Sequence, residues 1–391
     1  MPDGTWPCSV RSDTRQHPVA DTAIEWATKV WNPTTGCDRV SPGCDHCYAL
    51  TMAKRLKGMG HPKYQRDGDP RTSGPGFGAA HHPAVLSDPF KWRKPQRVFV
   101  NSMSDLFHKA IPDEFIAGVW SVMKRNPDHT FMVLTKRHDR MRSLVSSPEF
   151  REMVFTLGGV GCGQAGGHLE HFRQWPVPNV WLGVSTENQR WADIRIPALL
   201  DTPAAVRFIS AEPLLYQVLL RQAWLHPIMK NPTPENNALG RRIAKERGVG
   251  LIDWVIAGGE SGRGARPMNP RWARSLRDQC VAAGVPFFLK QWGEWGPAPW
   301  KIDRDPDEFT LDYKARAEAL GASHAFTGGL YTDDHGDWVE NFMELSHKPW
   351  SVERAPEAPS LAEGMKRWGK KAAGRELDGR TWDQFPEPLT V

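Results

Sequence analysis

From about residue 95 to residue 292 the chain repeats one pattern: a short apolar run, a polar tip, then a longer helical or irregular return. The apolar runs are Arg97–Val100, Thr130–Leu134, Val180–Val184, Val206–Ile209, Asp253–Ala257 and Pro286–Lys290. Each is short, rich in β-branched or aromatic residues and nearly continuous in apolar character, which predicts strands covered on both faces. An earlier strand is expected around Ala27–Trp31. Strands separated by roughly 25 to 50 residues suit βα units in a parallel sheet. The returns Asp113–Arg125, Arg190–Leu200 and Arg271–Ala283 have helical character. The expected fold class is therefore α/β, a partial or complete (β/α) barrel of parallel strands.

Polar residues close every strand. In order the tips are Asn101–Asp105, Thr135–Arg137, Ser185–Asn188, Ser210–Pro213, Gly258–Ser261 and Gln291–Glu294, and three of them carry Glu187, Glu212 or Glu260 just past the strand. In a barrel of parallel strands these carboxyl-end loops converge on one mouth, where such enzymes keep their active sites. A single polar tip is equally well read as a strand end; six in succession point to a site.

Three insertions interrupt the pattern. Residues 58–96 are rich in Gly, Pro, His and Arg and are expected to lie over the mouth; residues 157–178 hold a Gly-rich run from Gly158 to Gly167; residues 216–250 are polar and partly helical. The glycines fit neither a dinucleotide-binding nor a Walker pattern in strand–turn–helix context. Residues 1–21 form a tail, 22–295 the barrel, and 296–391 an extension expected to be α-rich. Within that extension Gly328–Tyr331 and Asp337–Val339 suit a small hairpin. Ser360–Glu363 has capping-box spacing and is expected to open a helix bearing Lys366, Arg367, Lys370 and Lys371. Such a basic helix end reads first as a solvated face.

Composition narrows the class only a little. Of 391 residues, 40% are hydrophobic and 24% charged, ordinary for a globular chain. The formal charge of +5 is mild. It suits a phosphate-bearing substrate or nucleic acid without the dense basic footprint of a dedicated DNA binder. No stretch approaches about 18 consecutive apolar residues, so no membrane span is expected. The residues around Asp3, Arg11, Asp13 and Arg15 lack the apolar core of a signal peptide. A cytoplasmic location follows as the expectation. Six cysteines in a reducing compartment are not a disulfide framework.

Three of those cysteines, Cys37, Cys44 and Cys47, have the spacing C-x6-C-x2-C in a loop punctuated by Pro33, Gly36, Pro42 and Gly43, followed by a helix-like Tyr48–Leu56. Structural zinc wants four protein ligands, whereas three leave an open position for chemistry. A [4Fe–4S] cluster on three cysteines has one iron free to bind something else. Two other readings stand beside it: zinc, with His46, Cys8, Cys162 or Cys280 as fourth ligand, and three buried cysteines without metal. His46, wedged against Cys47, is an awkward ligand.

A three-cysteine loop after the first strand of such a barrel resembles the radical S-adenosylmethionine superfamily, where the usual spacing is C-x3-C-x2-C. The first gap here is six, and Asn101–Asp105 stands at the second strand where that superfamily commonly has Gly-Gly-Glu. The stretches Trp31–Tyr48, Asn101–Phe107, Leu134–Arg137, Gly183–Ser185, Ile209–Pro213, Gly258–Ser261 and Lys290–Gly293 look more closely like a phage-associated family of unknown function. Members of that family often neighbour a three-Cys-motif partner protein, which makes such a protein a candidate partner. The resemblance implies that Cys37, Cys44 and Cys47 bind three irons of a [4Fe–4S] cluster and that S-adenosylmethionine chelates the fourth. An external electron donor then lets the cluster split that cofactor into methionine and a 5′-deoxyadenosyl radical. On this resemblance Ser102, Ser104 and Asp105 would hold the methionyl end, and Ser185 and Glu187 the ribose hydroxyls. Tyr48 would pack near the adenine or cap the cluster. Lys136, Glu212 and Glu260 are the catalytic candidates toward a substrate, and Lys136 with Arg137 suits a phosphate or carboxylate. Glu212 before Pro213 equally suits bracing its turn. The substrate class suggested is a nucleobase, nucleotide or nucleic acid. The alternative is a zinc-stabilised, non-catalytic module binding nucleic acid or protein.

Overall fold

Seven of the expected strands form one parallel sheet in chain order: β1 Lys29–Val30, β2 Arg97–Val100, β3 Thr130–Thr135, β4 Val180–Ser185, β5 Val206–Ala211, β6 Trp254–Gly258 and β7 Phe287–Gln291. Every neighbouring pair is parallel. β1 and β7 stay at opposite edges, so the sheet is a partial barrel. The computed structural model describes residues 22, 24–159, 174–226, 233–303, 324–332, 338–344 and 361–386. The tail 1–21 with Cys8, and Cys162 with most of the Gly-rich run, lie outside the described residues.

The two faces of the sheet differ in what they bury. One face sets Val98, Val100, Phe131, Val133, Leu182 and Val184 against helices. These include α2 Asp113–Lys124, whose first turn carries Asp113 and Glu114 as the helix dipole favours. Helix α5, Gln189–Leu200 (with α3 at His138–Val145 and α4 at Pro148–Gly159 before it), starts where the Asn188 side chain accepts from the Trp191 N–H at 3.1 Å. The inner face is an aromatic plug of Phe99, Trp181, Phe208, Trp254 and Phe288 with Trp26. Trp254 lies 5.8 to 6.2 Å from the rings of Phe208, Phe288, Trp26 and Trp181. Gly183 makes the plug possible, since a Cβ there would meet the Phe208 ring at 2.4 Å. With this end filled by rings, open space for chemistry remains at the carboxyl ends of the strands.

Among the described residues beyond Trp295, strands predominate where an α-rich extension is expected. β8 Trp295–Asp303, β9 His324–Thr332, β10 Trp338–Glu344 and β11 Leu361–Arg367 form an antiparallel sheet in the order β8-β11-β9-β10. The expected hairpin is the β9–β10 pair. The expected helix from the Ser360 capping box is instead β11, paired with β8 and β9; Ser360 itself lies outside the described residues. Helix propensity is a weak prior, and pairing on both sides outweighs it. Among the described residues beyond Trp295, Lys370–Ala373 is the one short helix. The chain end then returns to the barrel: the Leu289 N–H donates to the Trp382 carbonyl at 2.9 Å, the Gln384 N–H donates to the Phe287 carbonyl at 3.2 Å, and Phe385 stacks 5.0 Å from Trp254. The exposed edge of β7 is thereby covered. Among the described residues no helix is long and apolar enough to cross a membrane.

Candidate metal and cofactor site

The cysteine loop is pinned to the mouth of the barrel at both ends. Gly36 has φ of +81°, and its N–H donates to the Met103 carbonyl at 2.9 Å, tying the loop to the β2 tip. A Cβ at Gly36 would lie 2.3 Å from the Gly78 carbonyl oxygen, so the 58–96 segment closes directly over it. Within that segment Ala80–His81 pairs with Thr34–Thr35, and the Arg39 N–H donates to Thr72 O at 3.0 Å. Cys44 ends a short 3-10 turn, Pro42–Cys44, and Cys47 is the N-cap of α1, Tyr48–Gly58. All three thiols are free and half-buried. Cys37 and Cys47 lean on an apolar wall of Ala49, Ala53, Tyr64, Phe77 and Met103. Burial pushes the Cys37 thiol up from 9.0 to about 12, with Asp105 adding to it and Arg137 opposing it. Cys47 is raised chiefly by burial as well.

Two cations flank this loop. Arg137 Nη2 lies 3.9 Å from Cys37 Sγ and donates to the Asp38 carbonyl at 3.4 Å. Lys136 Nζ donates to Ser185 Oγ at 3.2 Å. Burial disfavours its charge, but negative charge at Cys44, Glu187 and Cys47 outweighs this, and the ammonium is held above its ordinary value.

Beneath Gly43 sits Glu187, its carboxyl carbon 3.2 Å from where a Gly43 Cβ would be. Glu187 Oε2 accepts from Arg195 Nη1 at 2.8 Å, and both side chains are fully buried. Arg195 also donates to the Ser185 carbonyl at 2.9 Å and stacks 4.0 Å over Trp191. Glu187 is held below its ordinary value: burial raises it, and Arg195, Lys136 and Ser41 overcome that. This carboxylate lies against the floor of the cysteine loop.

Glu260, from the β6 tip, grips the same loop from the other side. Its Oε2 accepts from the Arg266 N–H at 2.8 Å and Nε at 2.9 Å, and its Oε1 from Nη2 at 2.7 Å. Arg266 Nη2 also donates to the Pro42 carbonyl at 2.9 Å. His46 Nδ1 is 3.1 Å from Glu260 Oε2.

The β2 tip is tied together by side-chain hydrogen bonds, with the buried Asn101 Oδ1 left without a partner among the described residues. Asp105 accepts from Thr135 Oγ1 at 2.7 Å and from the N–H groups of Phe107 and Lys136, each at 3.0 Å. Ser104 Oγ meets Thr34 Oγ1 at 2.7 Å and accepts from Asn101 Nδ2 at 2.8 Å. The Ser102 N–H donates to Asn32 Oδ1 at 2.8 Å, and Tyr48 OH donates to the Ser102 carbonyl while half of the side chain stays exposed. Across the mouth Glu212 Oε1 accepts from Lys290 Nζ at 2.6 Å.

The family model described as "Protein of unknown function (DUF5131)" matches residues 21–386. The chain belongs to this family. No curated protein matches the DUF5131 chain. Solved structures similar to it include spore photoproduct lyase complexed with dinucleoside spore photoproduct, at 9% identity and a TM-score of 0.33, covering 68% of this chain and 64% of that one. A cysteine-to-serine mutant of the same lyase gives 9% identity and a TM-score of 0.34 over 78% of this chain and 75% of that one. The DUF5131 chain thus spans a little under two thirds of the first of these.

Within this DUF5131 member the donor chemistry, three thiols on one loop, is of the type an iron–sulfur cluster takes. Three thiols share one loop, one flank is apolar, and two cations face them, as a buried anionic cluster needs. Among the described residues no three His, Cys, Asp or Glu side chains, the three loop thiols included, are grouped closely enough to hold a metal ion as they stand. Of the candidate fourth zinc ligands, Cys280 is buried in the main core, and His46 is held by Glu260 through Nδ1, which leaves Nε2 as its ligand atom. The sequence alone does not point to Arg195, Arg266, Asn32 or Lys290 as site residues, and it marks Asn101 only as part of a strand tip. An Arg or Lys beside a tip Glu leads to Arg195, Arg266 and Lys290, and that pairing appears only once the fold brings the partners together; Asn32 and Asn101 carry no such signal.

Proposed function

We propose that the chain is a radical S-adenosylmethionine enzyme in which Cys37, Cys44 and Cys47 hold a [4Fe–4S] cluster at the mouth of the partial barrel. The observation that carries this reading is the pinned three-cysteine loop, with one flank apolar and with Lys136 and Arg137 beside the thiols. When bound, the cluster would supply the electron that splits S-adenosylmethionine into methionine and a 5′-deoxyadenosyl radical.

The residues of this chain have the supporting tasks. Burial keeps Cys37 and Cys47 protonated in the metal-free protein, so ligation must release those protons, and the flanking cations favour the thiolate state. Tyr48, Ser102 and Ser185 lie at the mouth as contacts for the methionyl and adenosyl ends. Ser104, Asp105 and Glu187, which satisfy neighbouring tips, act as positioning residues. Glu260 holds the loop through Arg266 and His46, while Lys136 and the Glu212–Lys290 pair face the space where a substrate would lie.

The test is purification without oxygen of the natural chain and of Cys44→Ala. The natural chain is expected to be brown, with about four irons per chain, and to release 5′-deoxyadenosine under a chemical reductant. C44A should be colourless and inactive. Cleavage persisting in C44A would refute the ligand assignment, and stoichiometric zinc without iron would favour the binding-module reading.

A further inference from the structure

One cleft of about 540 Å³ opens beside the cysteine loop, between the 66–79 turn, the loop after β2 and Arg137 at the β3 tip. That volume falls in the range typical of small-molecule sites. Three acids line it, and each already has a partner inside the fold. Asp38 accepts from Thr72 Oγ1 at 2.9 Å and lies 2.8 Å from His108 Nε2. Asp67 pairs with Lys57 at 2.5 Å, and Asp69 with Arg71 at 2.9 Å.

Its cations differ. Arg66 and Lys109 are exposed on the cleft wall, and among the described residues neither side chain has a hydrogen-bond or ionic partner. Arg137 forms the inner wall, with a buried Nε that has no hydrogen-bond partner and an Nη2 that reaches Cys37 Sγ at 3.9 Å. Asp67 and Asp69 are ion-paired and Asp38 is hydrogen-bonded, while the exposed Arg66 and Lys109 side chains and the Arg137 guanidinium, which also donates to the Asp38 carbonyl, leave the cleft able to take an anion. A guanidinium fork with a lysine suits a doubly charged phosphate.

We infer that this cleft binds the phosphate of a nucleotide-type substrate through Arg66, Lys109 and Arg137, placing the substrate against the edge of the cysteine loop. This names a substrate class for the reading above and rests on it for the chemistry; the binding itself needs no cluster.

The full chain is titrated calorimetrically at low salt with AMP, with inorganic phosphate and with a short single-stranded DNA. Two double variants with equal charge change are compared: R66E/K109E, and K94E/R151E at exposed positions outside the cleft lining. Binding is expected to weaken at least ten-fold in R66E/K109E and to stay within about two-fold in the control pair, since a merely global field would act on both alike. Phosphate should compete with either probe. Saturation by AMP as tight as DNA identifies a free nucleotide; tighter DNA binding with a steeper salt dependence identifies a strand. Equal weakening in both double variants, or no binding of any probe to the natural chain, would overturn the inference. C44A separates the two readings: it should lose iron yet keep AMP binding. Loss of AMP binding in C44A with retention in R66E/K109E would place the anion at the cysteine loop and overturn the cleft assignment.

Discussion

At Cys37 burial and charge pull in opposite directions. The apolar wall and Asp105 hold the thiol protonated, with its value near 12, while Arg137 stands ready to compensate a thiolate. A thiol whose folded value exceeds its ordinary 9.0 binds its proton more tightly in the folded chain. That contribution is fully present below about pH 9 and is lost as pH rises towards 12. Metal-free protein should therefore lose melting temperature across that window, and Cys37→Ala should lose less; identical pH profiles would show that Cys37 is not buried as described. Gly36→Ala is a sharper test of loop geometry, because the new Cβ meets Gly78 O and φ of +81° strains any L side chain. Strain of on the order of 1–2 kcal/mol before the clash is counted should show as reduced iron retention. The cysteine spacing, the tip glutamates and the Lys136–Arg137 pair were all visible in the sequence. Their partners were not: His46 and Glu260 are 214 positions apart, and only the fold makes them neighbours.

The elements were legible because parallel strands covered on both faces leave unbroken apolar runs. The expected Arg97–Val100 strand matches β2, and the others shift by one or two residues at their ends. β11 was not legible, since its strand character comes from neighbours that arrive from distant sequence. Two element-level contacts hold the cysteine loop and can be broken separately. Glu187→Gln leaves the fully buried Arg195 without its counter-charge and should cost about 3–5 kcal/mol in chemical denaturation. Glu260→Gln removes charge from a pair whose arginine is partly exposed, so about 1.5–3 kcal/mol is expected, with faster proteolysis between residues 38 and 46. Unchanged stability in E187Q would show that the Glu187–Arg195 pair does not support the loop.

Across the whole molecule the aromatic plug closes one end of the partial barrel, and the chain end seals its β7 edge. Removing residues 376–391 should bare that edge and the ring of Trp254, lowering the melting temperature and promoting aggregation. A monomeric truncated chain with unchanged melting would contradict this arrangement. With one end filled, chemistry is left to the polar mouth, where the three thiols, Lys136 and the Glu212–Lys290 pair gather. The most direct measurement is electron paramagnetic resonance of the anaerobically reconstituted, reduced protein with and without S-adenosylmethionine. The expected result is a reduced [4Fe–4S] signal that changes shape when the cofactor is added, as one iron open to an outside ligand requires. A signal indifferent to S-adenosylmethionine, or no cluster signal from a chain that retains zinc instead, would contradict the radical-enzyme reading.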